Sequence, residues 1–206
     1  MESNVSPMVI SVKRLFDIAG AVCGLLLTWP IILAATLAAR WDTGKSGIFH
    51  QTRVGLHGRN FRLKKIRTMR DVPCHTSTVT TRDDLRVTTL GRVFRSTKID
   101  ELPQLWNVLR GTMSLVGPRP TTASDYLRMS PHQRKRCSVL PGMTGLAQIR
   151  GNTTLTWPAR IAHDLEYVAD HDVWMDINIL ATTAWLVVAG QAATDPPTED
   201  EWGQVA

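Results

Sequence analysis

A chain of 206 residues carrying 24 Lys and Arg against 18 Asp and Glu, net charge +6, is long enough for one compact domain and favours anionic partners: phospholipid, phosphorylated substrate or nucleic acid. Its three cysteines, Cys23, Cys74 and Cys137, have no C-x-x-C spacing, which argues against a disulfide scaffold or zinc site and for a reducing compartment. No H-E-x-x-H, G-x-x-x-x-G-K-[ST] or strand-following G-x-G-x-x-G is present, so the histidines show no zinc-ligand spacing and neither usual nucleotide fingerprint is found.

Residues 1–12 read as a short polar arm. Ile18 to Ala39 then runs 22 residues without a charge. At about 1.5 Å per residue it reaches roughly 33 Å, against a hydrocarbon core of about 30 Å. The run is too long for a signal-peptide core, and no small-residue cleavage site precedes Arg40. A spanning helix is the ordinary alternative, but Pro30 removes a backbone hydrogen bond mid-run and predicts a kink or break. Cations flank both ends (Lys13 and Arg14 before, Arg40, Lys45 and Arg53 after), so the positive-inside rule chooses no orientation. A bent helix entering and leaving by the cytoplasmic face satisfies both flanks.

From Gly44 to Met69, Gly55-Leu56-His57-Gly58 separates two short basic stretches, predicting a hairpin that lies on anionic lipid or faces substrate. Asp71 to Asp84 is a Thr-rich connector, expected to be a mobile loop near the site. Arg95 to Pro120, RSTKIDELPQLWNVLRGTMSLVGPRP, is the most informative segment. Leu102, Leu105, Trp106 and Leu109 form one helical face, Pro103 suits a first turn and Gly111 a stop. Asp100 is then expected at the N-cap, where the helix end would keep it ionised. A capping Asp followed by Glu is the plain reading. However, Arg92, Arg95 and Lys98 precede the acids and Gly117-Pro118-Arg119-Pro120 follows them. Two acids among cations suit phosphate-ester chemistry, as nucleophile or metal ligand with the cations neutralising the transferred group. A surface salt-bridge cluster would look similar.

Pro131 to Ser138 is a basic helix candidate, read as a solvated face, and Pro141-Gly142-Met143-Thr144-Gly145 a turn able to approach a ligand. Gly151 to Trp157 reads as a loop, after which Pro158 starts a helix with Arg160, Asp164 and Tyr167. Val173 to Ala189, with Trp174 and Trp185, suits a membrane interface or the domain's underside equally. Residues 191–206 form an acidic tail expected to be disordered.

Taken together, KRLFD (13–17), the apolar run with Pro30, RVGLHGRNF (53–61), KIRTM (65–69), IDELPQLWNVLRGTMSLVGPRP (99–120), PGMTGLAQ (141–148) and YVADHDVWMDINIL (167–180) resemble the bacterial sugar transferase family of monotopic phosphoglycosyl transferases. The resemblance covers roughly residues 13–190. It implies a mainly α, α/β fold: a re-entrant helix at 13–40 broken at Pro30, a cytoplasmic catalytic domain at 41–190 with a small β-hairpin, and interfacial amphipathic helices. It implies transfer of a sugar-1-phosphate from a UDP-sugar to undecaprenyl phosphate, releasing UMP, in exopolysaccharide or glycoconjugate assembly at the cytoplasmic face of the bacterial inner membrane. Mg²⁺ is the implied cofactor, Asp100 the implied nucleophile forming a covalent phosphosugar, and Glu101, with Asp100, the implied metal ligand. By position, Arg95 and Arg119 are the first candidates for phosphate and uridine, flanked by Pro118 and Pro120, with Lys65 and Arg67 next. Arg150-Gly151-Asn152 stands where many members read Asn-Gly-Arg, so Arg150 must reach the donor from another position. Only a short arm precedes the catalytic region, which implies a minimal catalytic form.

Two other readings compete with the transferase. A membrane-anchored basic module would bind anionic lipid or nucleic acid and tolerate Asp100→Asn, and an inactive homologue would serve as an assembly subunit. The intact dyad opposes the latter. Nucleic acid is not expected, because no aromatics interleave with the basic hairpin. The sugar and the oligomeric state, a homodimer being one option, are left open.

Overall fold

The computed structural model describes residues 7–71, 84–151 and 154–190, with side chains from Val12 onward. Most of the connector expected at Asp71 to Asp84, the tail 191–206 and the first residues of the arm lie outside them.

Helix α1 (Pro7–Thr43) starts within the expected arm and ends beyond Arg40. Leu, Ala and Ile dominate its charge-free centre, which favours helix locally. The helix continues through Pro30, so the expected break is not present as an interruption of the helix. Neighbouring turns hold the ladder together even though Pro30 offers no N–H to the carbonyl four residues back. It is the one helix among the described residues long and apolar enough to cross a membrane. Leu26, Leu27, Trp29, Leu33 and Leu37 are exposed along it.

Both halves of α1 nevertheless touch the domain. Ala21 joins a core cluster with Leu63, Leu105, Val108 and Met113. Ala35 and Ala39 join a second with Ile66 and Phe94. Near its start, Arg14 donates to the carbonyls of Val108 (2.7 Å) and Leu109 (2.9 Å), and Lys13 donates to Val116 O and Asp176. Asp17 is 1% exposed, and its Oδ1 accepts from the Ser114 hydroxyl (3.0 Å) and Leu115 N–H (2.9 Å). At the far end, Arg70 donates to Asp42 (2.9 Å).

Strands β1 (Ile48–Val54) and β2 (Asn60–Ile66) pair antiparallel around the Leu56–Gly58 turn, which is the expected hairpin. Helix α2 (Thr89–Ser96) starts with the Thr88 hydroxyl accepting from Gly91 N–H (2.8 Å). A 3-10 turn (Ile99–Gln104) leads into α3 (Leu105–Leu109), and Gly111, at φ +76°, ends it as expected. Asn107 clamps α3 to β2 by accepting from Lys64 N–H (3.1 Å) and donating to Arg62 O (2.8 Å). Strand β3 (Ser114–Val116) pairs parallel with β4 (Gly142–Thr144). A Cβ on Gly142 would come within 2.1 Å of Gly117 N, so both sides of this crossing need glycine.

Four helices complete the domain: α4 (Ala123–Arg128), α5 (Leu146–Ile149), α6 (Trp157–Asp170) and α7 (Val173–Val188). Pro158 sits in the first turn of α6, as predicted. Helix α7 packs on the domain as one of the two expected placements has it, burying Asp176 and Ile179, while Trp174, Trp185 and Val188 are exposed. The fold is mainly helical α/β, with two small two-stranded sheets among the described residues.

Candidate active site

The 3-10 turn Ile99–Gln104 sets the acid dyad between α2 and β2. The expectation of an N-cap at Asp100 is corrected: the cap is Lys98, held left-handed at φ 58°, ψ 13°. Asp100 lies inside the turn at 5% exposure, its Oδ1 buried without a hydrogen-bond partner. Burial raises its pKa, and neighbouring Glu101 adds to this, while Lys65, Lys98 and Arg95 oppose it in part. Its ionisation therefore depends on the surrounding cations, not on a helix end.

Glu101 behaves oppositely. Burial alone would push it up, but Arg119, Lys65 and Lys98, with a hydrogen bond from Arg119, hold it well below the usual carboxylate range. Lys65 Nζ and Arg119 Nη2 each donate to Glu101 Oε1 at 2.9 Å. Lys65 Nζ also stands 3.9 Å from Asp100 Oδ2. Arg95 Nε donates to the Thr68 hydroxyl (2.9 Å), and its charge acts on both acids. One fixed carboxylate and one whose ionisation is costly are thus set side by side.

Pro118 and Pro120, both buried, bracket the exposed Arg119 and line a small cavity with Val54, Gly55 and Arg136. Arg136 Nη2 donates to Arg119 O (2.9 Å), which fixes the backbone that aims Arg119. Arg136 is no solvated cation: its side chain is 2% exposed and ion-paired with Asp164. Burial pushes the Asp164 carboxyl up, with Arg136 opposing.

Of the expected site residues, Lys65, Arg95, Asp100, Glu101 and Arg119 come together. Arg67 instead donates to Ser46 O (2.8 Å) and lies over the Phe49 ring. Arg150 bonds Glu166 and His163 on α6. Sequence reasoning missed Arg53, whose pKa burial, with Arg119 close by, lowers to about 10. It also missed Asn107, Arg136 and Asp164. Paired-charge spacing could have raised Arg136 and Asp164, but they lie 28 residues apart and no local pattern joins them.

Among the described residues, no three His, Cys, Asp or Glu side chains converge as a metal cage. The dyad is nonetheless a hard-oxygen donor set, with one buried oxygen left over at Asp100 Oδ1. Mg²⁺ commonly binds through one or two carboxylates together with substrate phosphates and water. The residues fit such an ion.

Comparison with known proteins adds identity to this geometry. The profile of the family described as bacterial sugar transferase matches residues 8–190. An uncharacterized sugar transferase, EpsL, of Bacillus subtilis (strain 168) is 41% identical over 180 residues, covering 87% of this chain and 88% of the relative. A UDP-glucose:undecaprenyl-phosphate glucose-1-phosphate transferase of Caulobacter vibrioides is 42% identical, covering 83% of this chain and 67% of the relative. The galactosyl transferase CpsE of Streptococcus agalactiae is 39% identical over 88% of this chain, which spans only 43% of that protein. The chain belongs to the bacterial sugar transferase family.

Proposed function

We propose that this chain transfers a sugar-1-phosphate from a UDP-sugar to undecaprenyl phosphate, releasing UMP, through a covalent phosphosugar on Asp100. The observation that carries this is the buried dyad: an unpartnered Asp100 oxygen beside an ionised Glu101, ringed by Lys65, Arg95, Lys98 and Arg119.

In the first step an Asp100 carboxylate oxygen attacks the sugar-bearing phosphorus of the donor. A phosphorus–oxygen bond forms, the bridging bond breaks, and its electron pair leaves with UMP. In the second step a phosphate oxygen of the acceptor attacks the same phosphorus and the bond to Asp100 breaks. Polyprenyl diphosphate-sugar departs and the carboxylate is restored. Splitting the transfer lets the soluble donor product leave before the lipid arrives. Mg²⁺, held by Glu101 and Asp100, would neutralise diphosphate charge. Arg119, steadied by Glu101 and by Arg136 behind it, and Arg95 supply cations to the donor phosphates.

The proposed membrane placement draws on α1. Lys13 and Arg14 at one end and Asp42 at the other all bond the same domain, which supports a helix that enters and leaves one leaflet at the cytoplasmic face. Labels at Val12 and Lys45 found on opposite sides of the membrane would overturn that placement.

The reaction is tested with the chain in undecaprenyl phosphate-containing membranes, Mg²⁺ and a panel of UDP-glucose, UDP-galactose and UDP-N-acetylgalactosamine. UMP release with at least one donor is expected, and none with any donor rejects the proposal. With donor alone, intact-protein mass should rise by one phosphosugar. An adduct persisting in Asp100→Asn would reject the nucleophile.

A further inference from the structure

Four cations surround the dyad, and three already have partners. Lys65 and Arg119 donate to Glu101 Oε1, and Arg95 Nε donates to the Thr68 hydroxyl. Lys98 differs. Among the described residues its ammonium makes no hydrogen bond and has no carboxylate oxygen within 4.0 Å, although Asp100 and Glu101 follow in the same turn. It is half-buried, so solvent hydrates it only in part.

Its backbone provides a second, independent observation. At φ 58°, Lys98 and His57 are the non-glycine residues in the left-handed region among those described. Gly or Asn rests there more easily than a long side chain. Lys98 is pinned from both sides: its N–H donates to Arg95 O (3.3 Å), and its carbonyl accepts from Glu101 N–H (3.1 Å). Strain held by surrounding structure beside a reactive group is a mark of functional sites.

The geometry points to Lys98 as a further catalytic residue, its unpaired ammonium binding the non-bridging oxygens of the transferring phosphoryl group. This rests on the phosphotransfer reading above. Charge spreads over those oxygens as the attacking and leaving oxygens line up. Lys offers three N–H donors and no acceptor. Lys65 and Arg119 keep further N–H donors, but part of their charge is already balanced by Glu101, whereas the Lys98 ammonium is engaged by no partner among the described residues. Lys98 forms no covalent bond: the bonds made and broken are those at phosphorus in both steps, and the ammonium stabilises the charge between them.

The test uses the full chain in acceptor-containing membranes with Mg²⁺ and an active UDP-sugar, comparing Lys98→Asn, Lys98→Gly and Lys98→Arg. Asn and Gly suit the left-handed backbone, so thermal unfolding should be unchanged or raised. For both, kcat for UMP release should fall about 100-fold or more, with donor KM within about threefold. Donor-only adduct formation should slow to the same degree. Lys98→Arg, which keeps the charge, should stay within about tenfold of the parent. A parent-like kcat in the Asn and Gly variants overturns the inference, as does a raised KM with kcat unchanged, or an Arg variant no better than Asn. If the Asn variant does not fold, the Gly variant decides. A parent chain inactive with every donor removes the underlying reaction and this inference together. An active parent with unimpaired Lys98 variants removes this inference alone.

Discussion

Arg136–Asp164 and Asp100–Glu101 both bury charge inside the domain, but they are closed to different degrees. Arg136 meets Asp164 one to one, at 2% side-chain exposure on each side, and spends a remaining donor on Arg119 O. Each cluster leaves one buried carboxylate oxygen without a partner, Asp164 Oδ1 and Asp100 Oδ1, but at the dyad four cations face two acids and Arg119 reaches solvent with 44% of its side chain exposed. The closed pair leaves little room for a ligand charge, whereas the open cluster has cations to spare for a diphosphate. Buried charge alone therefore does not identify the chemistry; unbalanced buried charge does, because only that arrangement gains from an incoming anion.

The largest expected effect breaks the open side. On the proposed mechanism Asp100→Asn removes the nucleophilic carboxylate while nearly preserving shape, so UMP release should fall about 10⁴-fold or more with the melting temperature little changed. Initial rates paired with thermal unfolding check this.

The closed side should give the opposite profile. Asp164→Asn leaves the Arg136 charge buried and unpaired, a loss of about 3–5 kcal/mol. At roughly 2–4 °C per kcal/mol for a domain of this size, denaturation should start well below that of the parent. Replacing the pair together, Arg136→Met with Asp164→Leu, should restore most of that stability yet raise donor KM, because the bond to Arg119 O goes too. Calorimetry alongside donor saturation curves separates the two effects.

A smaller effect tests the coupling within the dyad. Burial and Glu101 both raise Asp100, so the ionised form that the proposed mechanism requires is lost as pH falls through a value above the ordinary aspartate range. Glu101→Gln deletes the neighbouring negative charge and should move the acid limb of donor-only adduct formation to lower pH, even as the rate itself drops. A limb that stayed in place or moved upward would contradict the coupling. The smallest effect lies outside both clusters. Arg67→Ala should change stability by only about 0.5 kcal/mol and UMP release by less than about threefold.

Much of the open cluster was legible in sequence because its parts are local. The dyad, the Leu102–Leu109 periodicity, the Gly111 stop and the Gly-Pro-Arg-Pro turn lie within one segment, and the hairpin that delivers Lys65 carries its own turn signal. Charge type and spacing, however, did not reveal backbone handedness. The left-handed Lys98 displaced the cap expected at Asp100 and turned an α-helical start into a 3-10 turn. Longer-range pairings were not readable either: Lys13 with Asp176, Asp17 with Ser114, and Arg136 with Asp164 link segments that no periodicity relates. Arg67 and Arg150 illustrate the converse, since basic residues in the right motif found partners elsewhere.

Helix α1 is bonded to the catalytic domain near both of its ends, through Lys13, Arg14 and Asp17 on one side and Asp42 on the other. Clamped this way, it serves as a ruler: the separation between the exposed Leu26–Leu37 stretch and Asp100 is set by packing, not by a flexible tether. If that stretch lies in lipid, the reactive carboxylate stands at one altitude above the bilayer. Accommodation is then left to the lipid acceptor, whose phosphate must rise to meet a stationary site.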